Sequence, residues 1–163
     1  MAEVIGNNTK HNYLVRKMNA SDLTEVMAID LECFSENWTK DMWLEELENS
    51  LTDYIVVFSG EKMVAFAGMW LIVGEAQITR VAVKKAKQGL GIGKFTTLKL
   101  IQIAFNTGAF GVTLEVRKGN LAAQKVYQSL GFKTEGVRKN YYDNKEDALI
   151  MWRRFSEEEL NQI

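Results

Sequence analysis

The chain has 163 residues, of which 47% are hydrophobic and 25% are charged. This length and composition predict one folded globular domain and exclude disordered, collagen-like and low-complexity chains. The 20 Lys and Arg residues nearly balance the 21 Asp and Glu residues, so bulk charge does not attract nucleic acid or an anionic membrane. The only cysteine, Cys33, and the only histidine, His11, exclude an intramolecular disulfide, the usual Cys/His zinc sites and a Ser-His-Asp triad in the core.

The sequence also lacks the usual signals of a membrane or secreted protein. Its longest apolar run, 63–73, is far shorter than the roughly 20 residues that cross a bilayer. Residues 1–3 lack the basic and then apolar pattern of a secretory signal. These features predict a cytoplasmic protein without a membrane partner, and residues 1–12 are expected to be a flexible leader that keeps His11 outside the core.

The first half of the chain predicts three strands and two helices from its hydrophobic periodicity. A short strand over 13–18 is followed by a helix that Asn19 and Asp22 cap, and Thr39 caps a second helix that ends near Asn49. The next two strands, over 54–58 and 63–73, are predicted to form a hairpin with a turn at 60–62.

The second half predicts a β-α-β unit around a glycine-rich loop. A strand over 77–83 precedes the loop 88–93, a helix over 94–106 follows it, and a strand over 112–116 comes next. Strands joined in this way lie parallel, and ligands bind beyond their carboxyl ends. A helix over 121–130 and strands over 133–140 and 147–153 complete the predicted elements.

The glycine-rich loop reads Gln-Gly-Leu-Gly-Ile-Gly over 88–93 and lies before a helix, so its backbone N–H groups can converge on a phosphate. It is not a Walker A loop, which needs glycine at Gln88 and a hydroxyl at Phe95, nor a dinucleotide fingerprint, which needs glycine at Lys94. A smaller pyrophosphate carrier fits better, and four lysines flank the loop: Lys84, Lys85, Lys87 and Lys94. The alternatives are a plain strand-to-helix turn and a solvated charged loop.

Gln88, Gly91 and Gly93 fill the pattern [Arg/Gln]-x-x-Gly-x-[Gly/Ala] of the GNAT superfamily of acetyl-CoA-dependent N-acetyltransferases. The similarity continues through 114–117, Asn120, Ala123 and 126–132, and then through 138–142 and 146–151. The last two segments resemble bacterial ribosomal-protein-alanine N-acetyltransferases and their N-terminal acetyltransferase relatives. The resemblance implies one α/β GNAT-type domain over 13–155, with a mixed central sheet, a parallel β-α-β unit and about four flanking helices, followed by a short tail over 156–163.

The chain departs from the family pattern at five positions. Lys85 stands where proline is common, Gly89 where a basic residue is usual, and Gly119 where serine is common. Asn37 replaces a proline before Trp38, and Arg80 takes a position that asparagine often holds opposite the acceptor. The change at Arg80 bears on substrate identity.

The resemblance implies that an amine attacks the thioester of acetyl-CoA directly, with acetyl-CoA as cosubstrate and no metal. In the strand 112–117 Glu115 alternates with apolar residues, and it matches the family's general base. The residues alone favour a solvated glutamate or an ion pair with Arg117. Tyr127 has the spacing of a core tyrosine, but the resemblance places its phenol where it donates a proton to the thiolate.

The resemblance also implies binding residues. Val81 and Val83, expected to be core residues, pair with the pantetheine arm through their backbone groups, and Asn120 both caps a helix and contacts the cofactor. The loop residues of the cofactor site are Gln88, Gly89, Leu90, Gly91, Ile92, Gly93 and Lys94, joined by Tyr127. The acceptor site contains Phe34, Trp38, Arg80, Tyr141 and Tyr142. Phe34 and Trp38 can instead be core residues, and Cys33 beside them is expected to be an inert packing thiol.

The expected activity is transfer of an acetyl group from acetyl-CoA to a protein N-terminal α-amine, that of alanine in a small-subunit ribosomal protein. An α-amine has a pKa of about 7.7–8.0 against about 10.4 for lysine, so it is more readily neutral. The alternatives are a small-molecule amine, a lysine side chain, or an acyl-CoA-binding module without turnover. The sequence leaves the oligomeric state open, and the presence of both Glu115 and Tyr127 argues against a non-catalytic module.

Overall fold

The structure is a computed structural model that describes the backbone of residues 4–7 and all of residues 12–161. His11 lies outside the described residues. Two compact units make up the described chain. The first contains the described residues up to Trp70 together with Thr79–Leu100, and the second contains Leu71–Ile78 together with the described residues from Ile101 onward.

The chain contains eight strands and five α-helices within its described residues. In order they are β1 (Val4–Asn7), β2 (Tyr13–Lys17), α1 (Leu23–Cys33), α2 (Lys40–Glu48), β3 (Thr52–Ser59), β4 (Lys62–Ile72), β5 (Glu75–Val83), α3 (Ile92–Asn106), β6 (Gly111–Arg117), α4 (Leu121–Ser129), β7 (Lys133–Tyr142), β8 (Glu146–Arg154) and α5 (Glu157–Leu160). Short 3₁₀ turns cover Ala20–Asp22 and Lys85–Lys87. Strands β4 and β5 and helix α3 each run through both units.

The predicted helices and strands are confirmed, with ends displaced by only a few residues. Thr39 caps α2 as predicted, since its Oγ1 accepts from Met42 N. Asn19 and Asp22 also form a capping box, in which the Asn19 side chain accepts from Ser21 N and the Asp22 carboxylate accepts from Asn19 N, but it caps the 3₁₀ turn that leads into α1 and not α1 itself. Two elements were not predicted. Strand β1 lies within the segment 1–12 that was predicted to be a flexible leader, and α5 lies within the predicted tail, where Ser156 and Glu159 form a capping box.

In the first unit, strands β1 to β4 form an antiparallel series in chain order, and the unit's part of β5 lies beside β4. Lys84 N donates to Val64 O at 2.8 Å, and Thr79 Oγ1 donates to Gly68 O at 3.2 Å. The core of this unit centres on Trp43 of α2, whose ring lies 5.5 Å from each of the rings of Tyr54 and Phe66. Burial of these rings holds α2 against the strands.

In the second unit, the start of β5 pairs in parallel with β6, through Glu75–Gln77 and Gly111–Thr113. Helix α3 connects these strands, so the predicted parallel β-α-β unit is confirmed. Strand β6 pairs antiparallel with β8, and β8 pairs antiparallel with β7. Among the described residues, no helix combines the length and the apolar character that a bilayer crossing needs.

Candidate active site

The glycine-rich loop leads into α3 in the first unit, as predicted. Gly89 and Gly91 have φ angles of +82° and +83°, the left-handed region in which side chains are strained. An added Cβ at either glycine meets nothing within 4 Å, so open space borders the loop at both positions. The first N–H groups of a helix have no intrahelical acceptor, and here they belong to Ile92, Gly93 and Lys94, directly after the exposed residues Gln88–Gly91. The loop can therefore bind an anion through its backbone.

The loop is tied back to the end of β5. Gln88 Nε2 donates to Val83 O at 3.1 Å, and the Cys33 thiol donates to the same carbonyl at 3.2 Å. Burial raises the pKa of the Cys33 thiol, which favours its protonated form. The expectation that Val81 and Val83 are core residues is wrong: both are half-buried, and Ala82 between them is the buried residue, because neighbouring residues of a strand face opposite sides.

Arg80 lies among the predicted acceptor residues of the first unit. Its guanidinium carbon lies 4.4 Å from the centre of the Phe34 ring and 4.7 Å from that of Trp38. Its Nε donates to Asp30 Oδ1 at 3.0 Å, and its Nη2 donates to Glu36 O at 2.7 Å. The structure therefore brings Phe34, Trp38 and Arg80 into one cluster, and both aromatic rings are half-buried.

Glu115 lies on β6 in the second unit, with its side chain 26% exposed. Arg138 Nε lies 2.7 Å from Glu115 Oε1, and Tyr141 also hydrogen-bonds to this carboxyl group. That hydrogen bond is the main reason why the pKa of Tyr141 is raised. Arg117, considered in the sequence as a partner of Glu115, instead pairs with Glu146 at 3.0 Å. The carboxylate of Glu115 is held in place by the β7 strand.

Sequence reasoning did not select Arg138 as a site residue, although the strand register explains its position. Glu115 lies opposite Ile150, and Ile150 lies opposite Gly136, so these three residues form one row on one face of the sheet. Arg138, two residues beyond Gly136, projects from the same face. Arg138 lies opposite Ala148 of β8, and its side chain reaches across this strand to Glu115.

Two further tyrosines accompany Glu115. The β7–β8 register shifts between Arg138 and Tyr142, and Asn140 within this irregularity has a φ of +54°. A bulge changes which side chains share a face. The pKa values of both Tyr141 and Tyr142 respond to the Glu115 charge, and burial is the largest cause that raises the pKa of Tyr142 to about 12. The charge of Tyr127 on α4 also contributes to the raised pKa of Tyr142. Glu115, Tyr127, Tyr141 and Tyr142 therefore lie near one another.

Tyr127 is half-buried, and burial raises the pKa of its phenol. Its ring meets that of Phe132 edge to face at 5.8 Å. Asn120 caps α4, because its side-chain oxygen accepts from Ala123 N at 3.1 Å, as predicted. This cap fixes the start of the helix that carries Tyr127.

The fold and these residues define a class of enzyme. The model of the acetyltransferase (GNAT) family matches residues 23–132, and the chain belongs to this family. It is an acetyl-CoA-dependent N-acetyltransferase with a GNAT-type α/β fold and a mixed sheet.

Within this family, the chain is similar to enzymes that are named as acetylating a ribosomal protein. The chain is 37% identical over 140 residues to the putative ribosomal protein bS18-alanine N-acetyltransferase of Bacillus subtilis, which covers 85% of this chain and 93% of that protein. It is 30% identical over 140 residues to the ribosomal protein bS18-alanine N-acetyltransferase of Escherichia coli K12, covering 84% and 94%. The crystal structure of the ribosomal-protein-S18-alanine N-acetyltransferase from Escherichia coli superposes with a TM-score of 0.81 at 28% identity, covering 88% of this chain and 94% of that one.

Proposed function

We propose that this enzyme acetylates the N-terminal α-amine of a ribosomal protein whose first residue is alanine. The names of the relatives from Bacillus subtilis and Escherichia coli support this acceptor, and each of these relatives aligns over more than nine-tenths of its length. A ribosomal acceptor would place the enzyme in the cytoplasm. The observation that carries the proposal is the position of the Glu115 carboxylate. Glu115 matches the family's general base, and Arg138 and Tyr141 of β7 hold its carboxylate.

The proposed reaction begins with a proton transfer to Glu115. The acceptor arrives as an ammonium ion near neutral pH, and Glu115 takes its proton directly or through one water molecule, which leaves a nucleophilic amine. Bound acetyl-CoA supplies the thioester carbonyl that the amine attacks. The C–N bond forms and the C–S bond breaks, and Tyr127 donates its phenolic proton to the departing thiolate; the raised pKa of Tyr127 keeps that proton in place at neutral pH until then. The nitrogen of the adduct gives up its second proton, through water, to the Tyr127 phenolate, and Glu115 releases the first proton to solvent, so the products are the amide, the CoA thiol and one proton.

The glycine-rich loop fits the cosubstrate. Its positive-φ glycines border open space, and the α3 N-terminus supplies backbone N–H donors to a pyrophosphate. Lys85, Lys87 and Lys94 are exposed around the loop and can pair with phosphate groups. We assign cofactor binding to residues 88–94, with contributions from the backbone of Val81 and Val83, from Asn120 and from Tyr127. We assign acceptor binding to Phe34, Trp38, Arg80, Tyr141 and Tyr142.

A peptide panel tests the proposed acceptor. We expect rapid acetylation of a ribosomal-type peptide that begins with alanine, slower acetylation of one that begins with a large residue, and no acetylation of an internal lysine, with mass spectrometry as the readout. The α-amine preference follows from its lower pKa, about 7.7–8.0 against about 10.4 for lysine. The proposal would be overturned if the alanine-first peptide were left unmodified at its free N-terminus while the same peptide, blocked at its N-terminus, became acetylated on an internal lysine. Preferential acetylation of a polyamine would point to a small-molecule acceptor.

Substituting Gly91 tests the cofactor loop. A valine at its φ of +83° is strained by about 1–3 kcal/mol, so the loop must move and the CoA dissociation constant should rise about tenfold or more. Gly60→Val is the matched control, because Gly60 also has a positive φ, +62°, with nothing within 4 Å of an added Cβ, but lies in the β3–β4 turn. Isothermal titration calorimetry with CoA measures both variants. Unchanged CoA affinity in a folded Gly91→Val protein would contradict the assignment.

A further inference from the structure

Asp30 is the centre of a polar network in the first unit. It is 1% exposed, and its carboxylate receives Arg80 Nε on Oδ1 at 3.0 Å and Arg80 Nη2 on Oδ2 at 3.4 Å. The Arg80 side chain is itself only 12% exposed. Removing two charges from water costs free energy that an ion pair does not always recover, so a pair of this kind is poorly explained by stability alone. A role in fixing one arrangement of the chain explains it better.

The segment that the pair fixes is Phe34–Trp38, the irregular connection between α1 and α2. Arg80 Nη2 donates to Glu36 O in the middle of this segment, at 2.7 Å. The same guanidinium packs on Phe34 and on Trp38, one ring on each side of that backbone contact. Moving either ring away would give up a cation–π contact with a largely desolvated cation, where such contacts are strongest.

Asn37 belongs to the same network. Its Nδ2 donates to Asp30 Oδ2 at 3.2 Å, to Asp30 O at 3.1 Å and to Phe34 O at 3.1 Å. Asn37 and Arg80 are two of the positions at which the chain departs from the family pattern, and the structure shows that both donate to one carboxylate. A proline at 37 has no side-chain donor, and an asparagine at 80 is shorter than arginine and carries no charge. The two departures are therefore connected by a shared partner.

We propose that Asp30, Asn37 and Arg80 form a positioning network that holds Phe34 and Trp38 in one conformation and thereby limits the size of the acceptor's first side chain. The inference rests on the proposed function, in which these two rings contact the acceptor. An acceptor with a small first residue fits without any movement of the Phe34 and Trp38 rings. A larger one requires a ring to move, which breaks the contacts with Arg80 and disturbs the hydrogen bonds on Asp30.

The variant Arg80→Lys tests the network while it keeps a positive charge near the buried carboxylate. Lysine lacks the planar guanidinium that reaches Asp30, Glu36 and both rings at once. We expect the ratio of kcat/KM for an alanine-first peptide to that for a leucine-first peptide to fall about tenfold, through a lower KM for the leucine peptide, because moving a ring no longer breaks contacts with a guanidinium. The CoA dissociation constant should stay unchanged. Hydrogen exchange of the backbone amides of residues 35–38 should accelerate.

Arg16→Lys is the matched control. Arg16 makes a similar bidentate pair with Asp22, at 2.7 Å to each oxygen, and packs on the Phe58 ring at 5.0 Å. Weakening this pair in Arg16→Lys should lower the melting temperature, and Arg80→Lys is expected to do the same. Only Arg16→Lys should leave the selectivity ratio unchanged. A merely structural role for Arg80 predicts the same behaviour from both variants.

The double variant Asn37→Ala/Arg80→Lys completes the test. Because both side chains bind Asp30, their effects on selectivity should be less than multiplicative. An unchanged selectivity ratio in folded Arg80→Lys overturns the inference, as does unchanged hydrogen exchange at residues 35–38. If the wild-type enzyme acetylates no peptide N-terminus, the proposed function itself fails, and that result is distinct because it is read on the wild type before any variant.

Discussion

Glu115→Gln is expected to lower kcat by about 10²- to 10⁴-fold, the usual contribution of a general base. Glutamine has nearly the same shape and can still receive a hydrogen bond from Arg138, but its neutral amide cannot take the proton of an incoming ammonium ion. Because the substitution leaves the glycine-rich loop intact, the CoA dissociation constant should not change. Steady-state kinetics with an alanine-first peptide, together with CoA titration, measures both quantities.

The control for this prediction is Glu135→Gln. Glu135 lies on β7 and pairs with Arg154 at 2.9 Å, so it offers the same kind of glutamate–arginine pair in the same unit as Glu115. Both side chains are partly exposed, and such pairs contribute little to stability, about 0–1 kcal/mol. We expect Glu135→Gln to retain near-wild-type kcat. A wild-type rate for Glu115→Gln at neutral pH would remove Glu115 from the base position.

The elements that were predicted from the sequence depend on local signals. Thr39 caps α2, and Asn19 and Asp22 cap the 3₁₀ turn that leads into α1, so each lies within a few residues of the helix it precedes. The alternation along β6 places Glu115 on the polar face of that strand without knowledge of any partner strand. Strand β1 carries no such signal. It forms because the edge of β2 offers unpaired backbone N–H and C=O groups to a further strand. The hydrophobic periodicity of a sequence does not show whether such a sheet edge is available.

The surroundings of Glu115 depend on register, which a single sequence does not supply. Knowing that Gly136 and Arg138 lie across β8 from Glu115 and Arg117 requires the pairing of three strands. The irregularity between Arg138 and Tyr142 then changes the faces of two adjacent tyrosines. Which face of β5 is buried also depends on its neighbours in the structure. Val81 and Val83 were expected to be core residues, but the buried residue is Ala82.

Departures from the family pattern gain a physical meaning only in the structure. Lys85 N donates to Glu32 Oε2 at 2.8 Å, a bond that proline cannot make because it has no N–H. At Gly119 an added Cβ would lie 2.8 Å from Glu146 Oε2, so that carboxylate takes the space where the family commonly has a serine. With Arg80 and Asn37 bound to Asp30, three of the five departures contact the last turns of α1. Their partners are too distant in sequence, except for Asn37, to be paired by spacing.

Tyr127→Phe is expected to lower kcat by about 10²-fold, the lower end of the acid–base range. A thiolate is already a fair leaving group, since an ordinary thiol has a pKa of about 8.5, so the proton donor contributes less than the base. Burial raises the pKa of Tyr127, which means that its phenol holds its proton from neutral into alkaline solution. The deficit should therefore persist between about pH 7 and pH 9, because the wild type does not lose its donor in that range.

The matched control for Tyr127→Phe is Tyr54→Phe in the first unit. Burial raises the pKa of Tyr54 as well, and its hydroxyl bonds to Glu46 at 3.0 Å and to Thr79 at 3.2 Å, so its loss should lower the melting temperature and leave kcat near the wild-type value. Phenylalanine at 127 keeps the edge-to-face contact with Phe132, so stability should change little there. A pH–rate profile of both variants checks the pair of expectations. Equal kcat values for Tyr127→Phe and wild type would assign the thiolate's proton to solvent, and Tyr127 would then serve only to pack α4.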